Sequence, residues 1–361
     1  MFLKNASITL SMKNDFVSTF FNSLKETVHC FNAYSLLFFY RNENLKVGSL
    51  ETVNCPVCGS PHFHEIIQAP DRFSVEQGVK FSIVGCDVCG FRFLNPRPEA
   101  AEMSAYYTNA DYQPFISAQA KQKMWDRLYR LVRVFALTRK RKTIEKLKQP
   151  GRLLDVGCGT GEFLFEMQQH GWEVEGIEPD EAAVKYAREH LGLQVKVGGE
   201  KELAGVEKQY DVLTLWHVLE HVSSPQKLLA HCENLLAEGG LLLVAVPNIA
   251  SLDAAFYGPL WVALDAPRHL SHFTPGVMQR LLDGTRLRLV KLNSMPLDGY
   301  YNCLMSEFLR FKVQHVAAVL KPVYLLRAVV VASASVMTSA NFRKQSSRNG
   351  SSILYFIQKE S

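Results

Sequence analysis

Three glycines at alternate positions, Gly157, Gly159 and Gly161, follow the apolar run Leu153-Leu154-Asp155-Val156 and precede a stretch that reads as a helix from Glu162. Glycine at a strand-to-helix turn lets the main chain bend tightly and lets a ligand approach it closely. The pattern does not suit a dinucleotide. A G-x-G-x-x-G fingerprint begun at Gly157 would need glycine where Glu162 stands. A carboxylate at a helix start would also repel a pyrophosphate, which favours the positive helix terminus. Asp155 at the strand end adds a second acid, and Glu178, 23 residues further on in Gly176-Ile177-Glu178-Pro179, adds a third. A carboxylate at the end of a second strand accepts hydrogen bonds from both hydroxyls of a ribose. Together these residues point to a cationic sulfonium ligand with an amino-acid ammonium, not to a phosphate.

A second constellation is metal-like. Cys55/Cys58 and Cys86/Cys89 are two Cys-x-x-Cys pairs, each followed by glycine (Gly59, Gly90) and separated by 27 residues. One tight knuckle presents two sulfurs at about 2.3 Å from an ion, so the four thiolates predict a tetrahedral structural Zn2+ site. The gap between pairs exceeds the usual span of roughly 15 to 20 residues. Redox or iron–sulfur chemistry is the alternative, although a redox role needs only one pair. Four thiolates close the shell, so the metal would hold a small module together and not catalyse.

These residues need elements to position them. From Arg152 the chain alternates strands (Arg152 to Val156, Glu173 to Ile177, Val195 to Val197, Val212 to Trp216, Leu241 to Val246) with helices (Glu162 to His170, Glu181 to Leu191, Pro225 to Ala237). Such alternation predicts a parallel sheet covered by helices on both faces. A helix at Pro275 to Leu282, a strand at Leu287 to Leu292 and a last strand at Ile353 to Gln358 follow. The expected fold class is α/β: a doubly wound, seven-stranded Rossmann-like sheet behind a small N-terminal zinc-ribbon module. The expected division is an N-terminal extension at 1–50, helical around Phe16 to Tyr40, a zinc ribbon at 51–98, a helical linker at 99–150, and a catalytic domain at 151–361 with a helical insertion at about 300–340. Phe81 to Gly85 should be a strand entering the second cysteine pair, Asn95-Pro96-Arg97-Pro98 should stop regular structure, and Asn341 to Ser352 should be an exposed loop.

The later segments carry a resemblance. The run from Arg152 to Val246, with Asp211 to Trp216, His217-Val218-Leu219-Glu220-His221-Val222, Leu235 to Gly240 and Val246-Pro247-Asn248, resembles the class I S-adenosylmethionine (SAM)-dependent methyltransferases. It is especially similar to the ubiquinone-biosynthesis O-methyltransferases. The resemblance implies that Gly157, Gly159 and Gly161 contact the methionine part of SAM and that Glu178 holds the ribose. It also implies that Gly199 flanks the adenine and that His217 lies beside the cofactor. Those enzymes tend to carry an acid where this chain has His217, which puts a metal site at Glu220 and His221 in doubt. The cysteine pairs, with Asn95 to Pro98 and Tyr106-Tyr107, resemble bacterial zinc-ribbon methyltransferases, including C-methyltransferases of nucleotide-linked deoxysugars.

Methyl transfer to O–H or C–H needs a base, and histidine suits that role near neutral pH. The candidates are His217, His221, and His269 and His272 in Pro267-Arg268-His269-Leu270-Ser271-His272, with His269, His272 and His221 preferred. Tyr257 and Trp261 would wall the pocket, and Arg268 would either hold an anionic substrate group or be a surface residue. The net charge of +5 is mild for 361 residues, so no nucleic-acid partner is expected. The basic run Arg139, Lys140, Arg141, Lys142, Lys146 and Lys148 reads as a solvated helix face. The expected partner is a small molecule: a sugar or a cell-envelope or secondary-metabolite precursor, methylated on O or C. A lipid or quinone acceptor, with peripheral membrane contact, is the second reading, motivated by the apolar stretches Phe31 to Tyr40 and Val313 to Ala340. A non-catalytic zinc-ribbon binding protein is the third. Scattered cysteines and no targeting signal suggest a cytoplasmic protein.

Overall fold

The computed structural model of the chain describes residues 48–107, 124–206, 208–340 and 349–360. The expected extension and its helix around Phe16 to Tyr40 lie outside the described residues.

The N-terminal part is built of short strands: β1 (Leu50–Glu51), β2 (Phe63–Pro70), β3 (Lys80–Cys86), β4 (Arg92–Leu94) and β5 (Arg97–Pro98). Arg97 and Pro98 do not end regular structure as expected; they pair with Glu51 and Leu50. After helix α1 (Met124–Glu145) the alternation begins: β6 (Arg152–Val156), α2 (Glu162–Gln168), β7 (Glu173–Glu178), α3 (Glu181–Leu191), β8 (Val195–Val197), α4 (Glu200–Leu203), β9 (Tyr210–Trp216), α5 (Pro225–Leu235) and β10 (Leu236–Pro247). Then come α6 (Leu252–Tyr257), β11 (Ser271–His272), α7 (Pro275–Leu282), β12 (Leu287–Ser294), α8 (Pro296–Val313), α9 (Lys321–Ala340) and β13 (Ser352–Lys359).

Seven strands form one sheet in the order β12-β13-β10-β9-β6-β7-β8. β10, β9, β6, β7 and β8 run parallel, and β13 inserts antiparallel between β10 and β12. The central strands read as continuous apolar runs because both faces are covered: Leu153, Val212, Leu213, Leu242 and Leu243 are all fully buried. Strand order reverses between β6 and β9, the switch point where open α/β sheets bind ligands. β10 starts earlier than periodicity predicts. Gly239, at φ 69, lies where the register with β9 shifts between Leu236 and Leu241, and five residues precede the apolar run.

A second, antiparallel sheet has the order β11-β4-β3-β2. Its fourth strand comes from the part that carries the seven-stranded sheet: Ser271 and His272 pair with Phe93 and Arg92. Phe91 and Phe93 of the cysteine module also pack beside Phe273, with Phe91 and Phe273 centroids 5.8 Å apart. The module is therefore knit into the domain through a shared sheet. A two-residue strand has no period, so β11 was not visible in the sequence.

Candidate active site

Gly157, Gly159 and Gly161 have φ of 71, 54 and 80, the left-handed region that only glycine occupies freely. A Cβ on Gly157 would strike Val218, and one on Gly161 would strike Leu193 and Ala187. Gly159 has nothing within 4 Å of that position, so its main chain faces open space. That space is a cavity of about 330 Å³ lined by Asp155, Gly157 and Gly159 from the turn and by Trp216 from β9. Its volume suits one small cofactor.

Asp155 is buried, and its carboxylate accepts from Thr214 Oγ1 at 2.6 Å. Burial pushes its carboxyl up to about 7 against the Thr214 bond and the Lys140 charge, which favour ionisation. Glu178 accepts from the Gly159 amide at 2.8 Å and the Asp180 amide at 3.0 Å, so it braces the turn as well as ending β7. Each of its oxygens keeps a second lone pair for a ribose hydroxyl. Gly199 caps α4 at the end of β8, outside the cavity lining, with its amide on Glu202 Oε2 at 2.6 Å.

The fourth wall was missed in the sequence. α1 presents Arg133, Ala136, Leu137 and Lys140 to the cavity. These lie three and four residues apart, one helical stripe, and that spacing was the signal available. Lys140 is not on a solvated face as expected. Its ammonium stands 4.0 Å from the Trp216 ring centroid, and burial holds its pKa below the usual lysine value. Arg141 turns the other way, to Glu166 at 2.9 Å and Glu145 at 2.5 Å.

Beyond β9 the polar groups converge. His217 adopts φ 58, with Nδ1 3.1 Å from Glu220 Oε1 and Nε2 3.1 Å from Asp298 Oδ2 of α8. Burial opposes its charge, but the hydrogen bonds to Asp298 and Glu220 outweigh that and push its pKa up to about 10. Glu220 is fully buried, and its Oε2 has no hydrogen-bond partner among the described residues.

His221 Nδ1 lies 3.1 Å from the Arg268 carbonyl and 3.1 Å from Tyr107 Oη. His269 Nδ1 lies 2.9 Å from the Ala263 carbonyl. A carbonyl only accepts, so each Nδ1 carries the proton and each Nε2 keeps its lone pair. The two rings meet edge to face at 4.6 Å, and Glu220, His221 and His269 each bring one donor atom within 4.8 Å of the others. Burial, above the other causes, lowers the pKa of His221 and takes His269 down to about 4. Both imidazoles are therefore neutral near pH 7 and present Nε2 lone pairs, and the two imidazoles and one carboxylate are also donors that a divalent ion takes. His272 stands apart: it belongs to β11 in the shared sheet, with Nε2 unpartnered among the described residues.

Two expectations fail here. Arg268 is neither exposed nor open to an anion. It is buried, donating from Nε to Asp265 at 2.9 Å and from NH2 to Asp71 of the cysteine module at 2.7 Å. Arg72 meets Asp265 at 2.9 Å, and both guanidiniums sit 4.6 Å from the Phe73 ring centroid. Tyr257 and Trp261 do not line the cavity. Tyr257 Oη donates to Glu307 at 3.0 Å and Trp261 Nε1 to Asp253 at 2.8 Å, inside the core under α8 and α9.

In the cysteine module, Cys55 and Cys89 sulfurs lie 3.5 Å apart, as do those of Cys58 and Cys86, and all four fall within 4.8 Å of one another. A tetrahedron with metal–sulfur bonds of about 2.3 Å has edges of about 3.8 Å, so the four sulfurs fit a zinc ion. Gly59 and Gly90, at φ 72 and 70, close the two knuckles by donating to the carbonyls of Cys55 and Cys86.

A methyltransferase-domain family matches residues 125–292. The ubiquinone biosynthesis O-methyltransferase of Azoarcus sp. is 32% identical over 156 residues, 40% of this chain and 67% of that protein. The protein of that name from Maricaulis maris is 33% identical over 170 residues, 44% of this chain and 65% of its own length. The crystal structure of a SAM-dependent methyltransferase from Archaeoglobus fulgidus is 19% identical, with a TM-score of 0.42 over 63% of this chain and 94% of that one. With the glycine turn, the acids that end β6 and β7 and the sheet order on the page, the chain belongs to the methyltransferase family and is a SAM-dependent methyltransferase.

Proposed function

We propose that the enzyme methylates an oxygen or carbon of a small polar molecule, a sugar or a cell-envelope or secondary-metabolite precursor. The observation that carries this reading is the convergence of Glu220, His221 and His269 within 4.8 Å, next to the strand end that lines the cofactor cleft. Tyr107 and Asp298 border the same group, a lining that suits a hydroxylated acceptor.

In this reading Gly157, Gly159 and Gly161 let the methionine part of SAM lie on the main chain. Lys140 faces its carboxylate, and Asp155 favours its positive end. Glu178 takes the ribose hydroxyls, Gly199 borders the adenine side, and His217 stands at the cofactor's edge and holds Glu220. The acceptor is held for in-line attack on the sulfonium methyl, and the Nε2 lone pair of His221 or His269 takes its proton. Glu220 offsets the charge that imidazole gains. Cys55, Cys58, Cys86 and Cys89 hold zinc, and a reducing, cytoplasmic setting keeps such thiolates from pairing.

His221→Asn and His269→Asn should each keep affinity for S-adenosylhomocysteine, and the variant of the working base should turn over about 10²- to 10⁴-fold more slowly. Product mass spectrometry with nucleotide sugars would read the turnover. Full turnover in both variants refutes the base. Turnover that depends on added Mg2+ or Mn2+ in zinc-replete protein would assign the trio to a cation instead. A quinone acceptor is the second reading, favoured by the names of the relatives; methylation of a catechol and not of any sugar would select it.

A further inference from the structure

α9 is amphipathic the wrong way round for a helix in water. Its inner stripe, against α8 and α6, is mostly small or polar: Ala328, Ala332, Ser335 and Ser339 are buried, with the larger Val331 among them. Its outer stripe is large and aliphatic. Val323, Leu326, Val330 and Met337 recur at helical spacing and are 60 to 67% exposed, and Val319 just before the helix is 81% exposed. A helix in water normally buries its large apolar side and exposes its small polar one. The stripe continues into the α8–α9 turn, where Leu320 is exposed, and to Val313 at the end of α8. A contiguous patch of this kind marks a contact surface.

The chemistry around the stripe selects the contact. From Phe308 to Ala340 the chain contains no Asp or Glu, while Arg310, Lys312, Lys321 and Arg327 occur. Glu307, from one turn earlier, pairs with Arg327 at 2.7 Å and Arg310 at 3.6 Å. Lys312 and Lys321 add positive charge beside Val313 and Leu320, at the end of the stripe. Aliphatic side chains flanked by lysines suit an anionic lipid interface, in which such helices bury about 5 to 10 Å.

Ala318–Ser339 is long and apolar enough to cross a bilayer by length and composition. Its inner contacts argue against that. Ser335 donates to the buried Asp253 at 2.9 Å, and Arg327 is tied to the buried Glu307, so a spanning helix would strip Asp253 of one of its donors and Glu307 of its bidentate arginine. α8 links this face to the cleft, since Asp298 in its first turn meets His217.

We infer that the outer face of α9 and the α8–α9 turn dock the enzyme on an anionic membrane surface, with the helix lying in the interface. The inference does not depend on which acceptor is methylated. Flotation of the full chain with phosphatidylglycerol/phosphatidylcholine vesicles should show at least about tenfold stronger binding than with phosphatidylcholine alone, weakening with salt. The exposed double variant Val323→Glu/Leu326→Glu should lose at least about tenfold of that binding, while its melting temperature and S-adenosylhomocysteine affinity stay unchanged. No vesicle binding, or binding that the variant leaves intact, overturns the proposal. So does a dimer in solution that the variant dissociates while vesicles remain unbound, which would give the face to a second copy of the chain.

Discussion

The side of the cleft that lines the cofactor cavity and the side proposed for the acceptor are made differently. The cofactor side has a local centre, to which α1 and Trp216 add walls: Asp155, Gly157, Gly159 and Gly161 lie within seven residues, and Glu178 ends the next strand. The acceptor side is assembled from distant segments: Asp71 and Tyr107 before the sheet, Glu220 and His221 after β9, Arg268 and His269 after β10, Asp298 on α8. A contiguous turn keeps its geometry if the αβ sheet folds. A composite site keeps its geometry only if each contributor is held in place. Here the cysteine module is one of those contributors, because its sheet borrows β11, two residues from His269.

This difference can be broken most severely at the four-cysteine cluster, where zinc is proposed to bind. Cys86→Ala should unfold the module, because structural zinc supplies apparent binding energy of about 10 to 16 kcal/mol to small domains. Turnover should fall more than about 100-fold, while S-adenosylhomocysteine affinity changes by less than about threefold, read by calorimetry. Equal losses on both sides would show that the two halves are not separable. The next largest effect is expected at the buried clamp. Arg268→Met leaves Asp71 without its partner, and removing one member of a buried ion pair costs about 3 to 5 kcal/mol. Urea melts read that cost. A loss under about 1 kcal/mol would show that the clamp holds nothing.

The same contrast explains what could be read from the chain. The glycine turn, Glu178, the order of strands and the cysteine knuckles are set by spacing along a few dozen residues, and spacing is what a sequence displays. Helix Glu181 to Leu191 and strand Val195 to Val197 have the bounds their spacing predicts, and Asp180 and Gly192 cap the two ends of the helix. Arg268 was misread for the opposite reason. Its partner Asp71 is 197 residues away, and no local pattern distinguishes a clamped arginine from a free one. Tyr257 and Trp261 were misread because an aromatic pair looks the same whether it faces a pocket or a core. Lys140 sat in a run of charges whose members point in different directions, and only the helical phase separates them.

The smallest predicted effect bears on the cofactor side alone. Asp155→Asn should weaken S-adenosylhomocysteine binding by one to a few kcal/mol, about 10- to 100-fold, because it removes a buried charged partner. The pH dependence sharpens this. Burial raises the Asp155 carboxyl from its ordinary 3.8 to about 7 in the fold. The folded apoprotein therefore holds more protons than the unfolded chain between about pH 4 and pH 7, and this group's contribution to stability falls as pH rises through that window. A cationic cofactor has the opposite preference, since it favours the ionised carboxylate. SAM affinity should rise by up to about tenfold per unit as pH climbs toward 7 and level off above it. Glu178 is also pushed upward by burial, so Asp155→Asn should leave a shallower slope and not a flat line. A slope identical in the wild type and the variant would remove Asp155 from the charge balance of the cleft, and the turn would then hold its ligand by shape and main-chain contact alone.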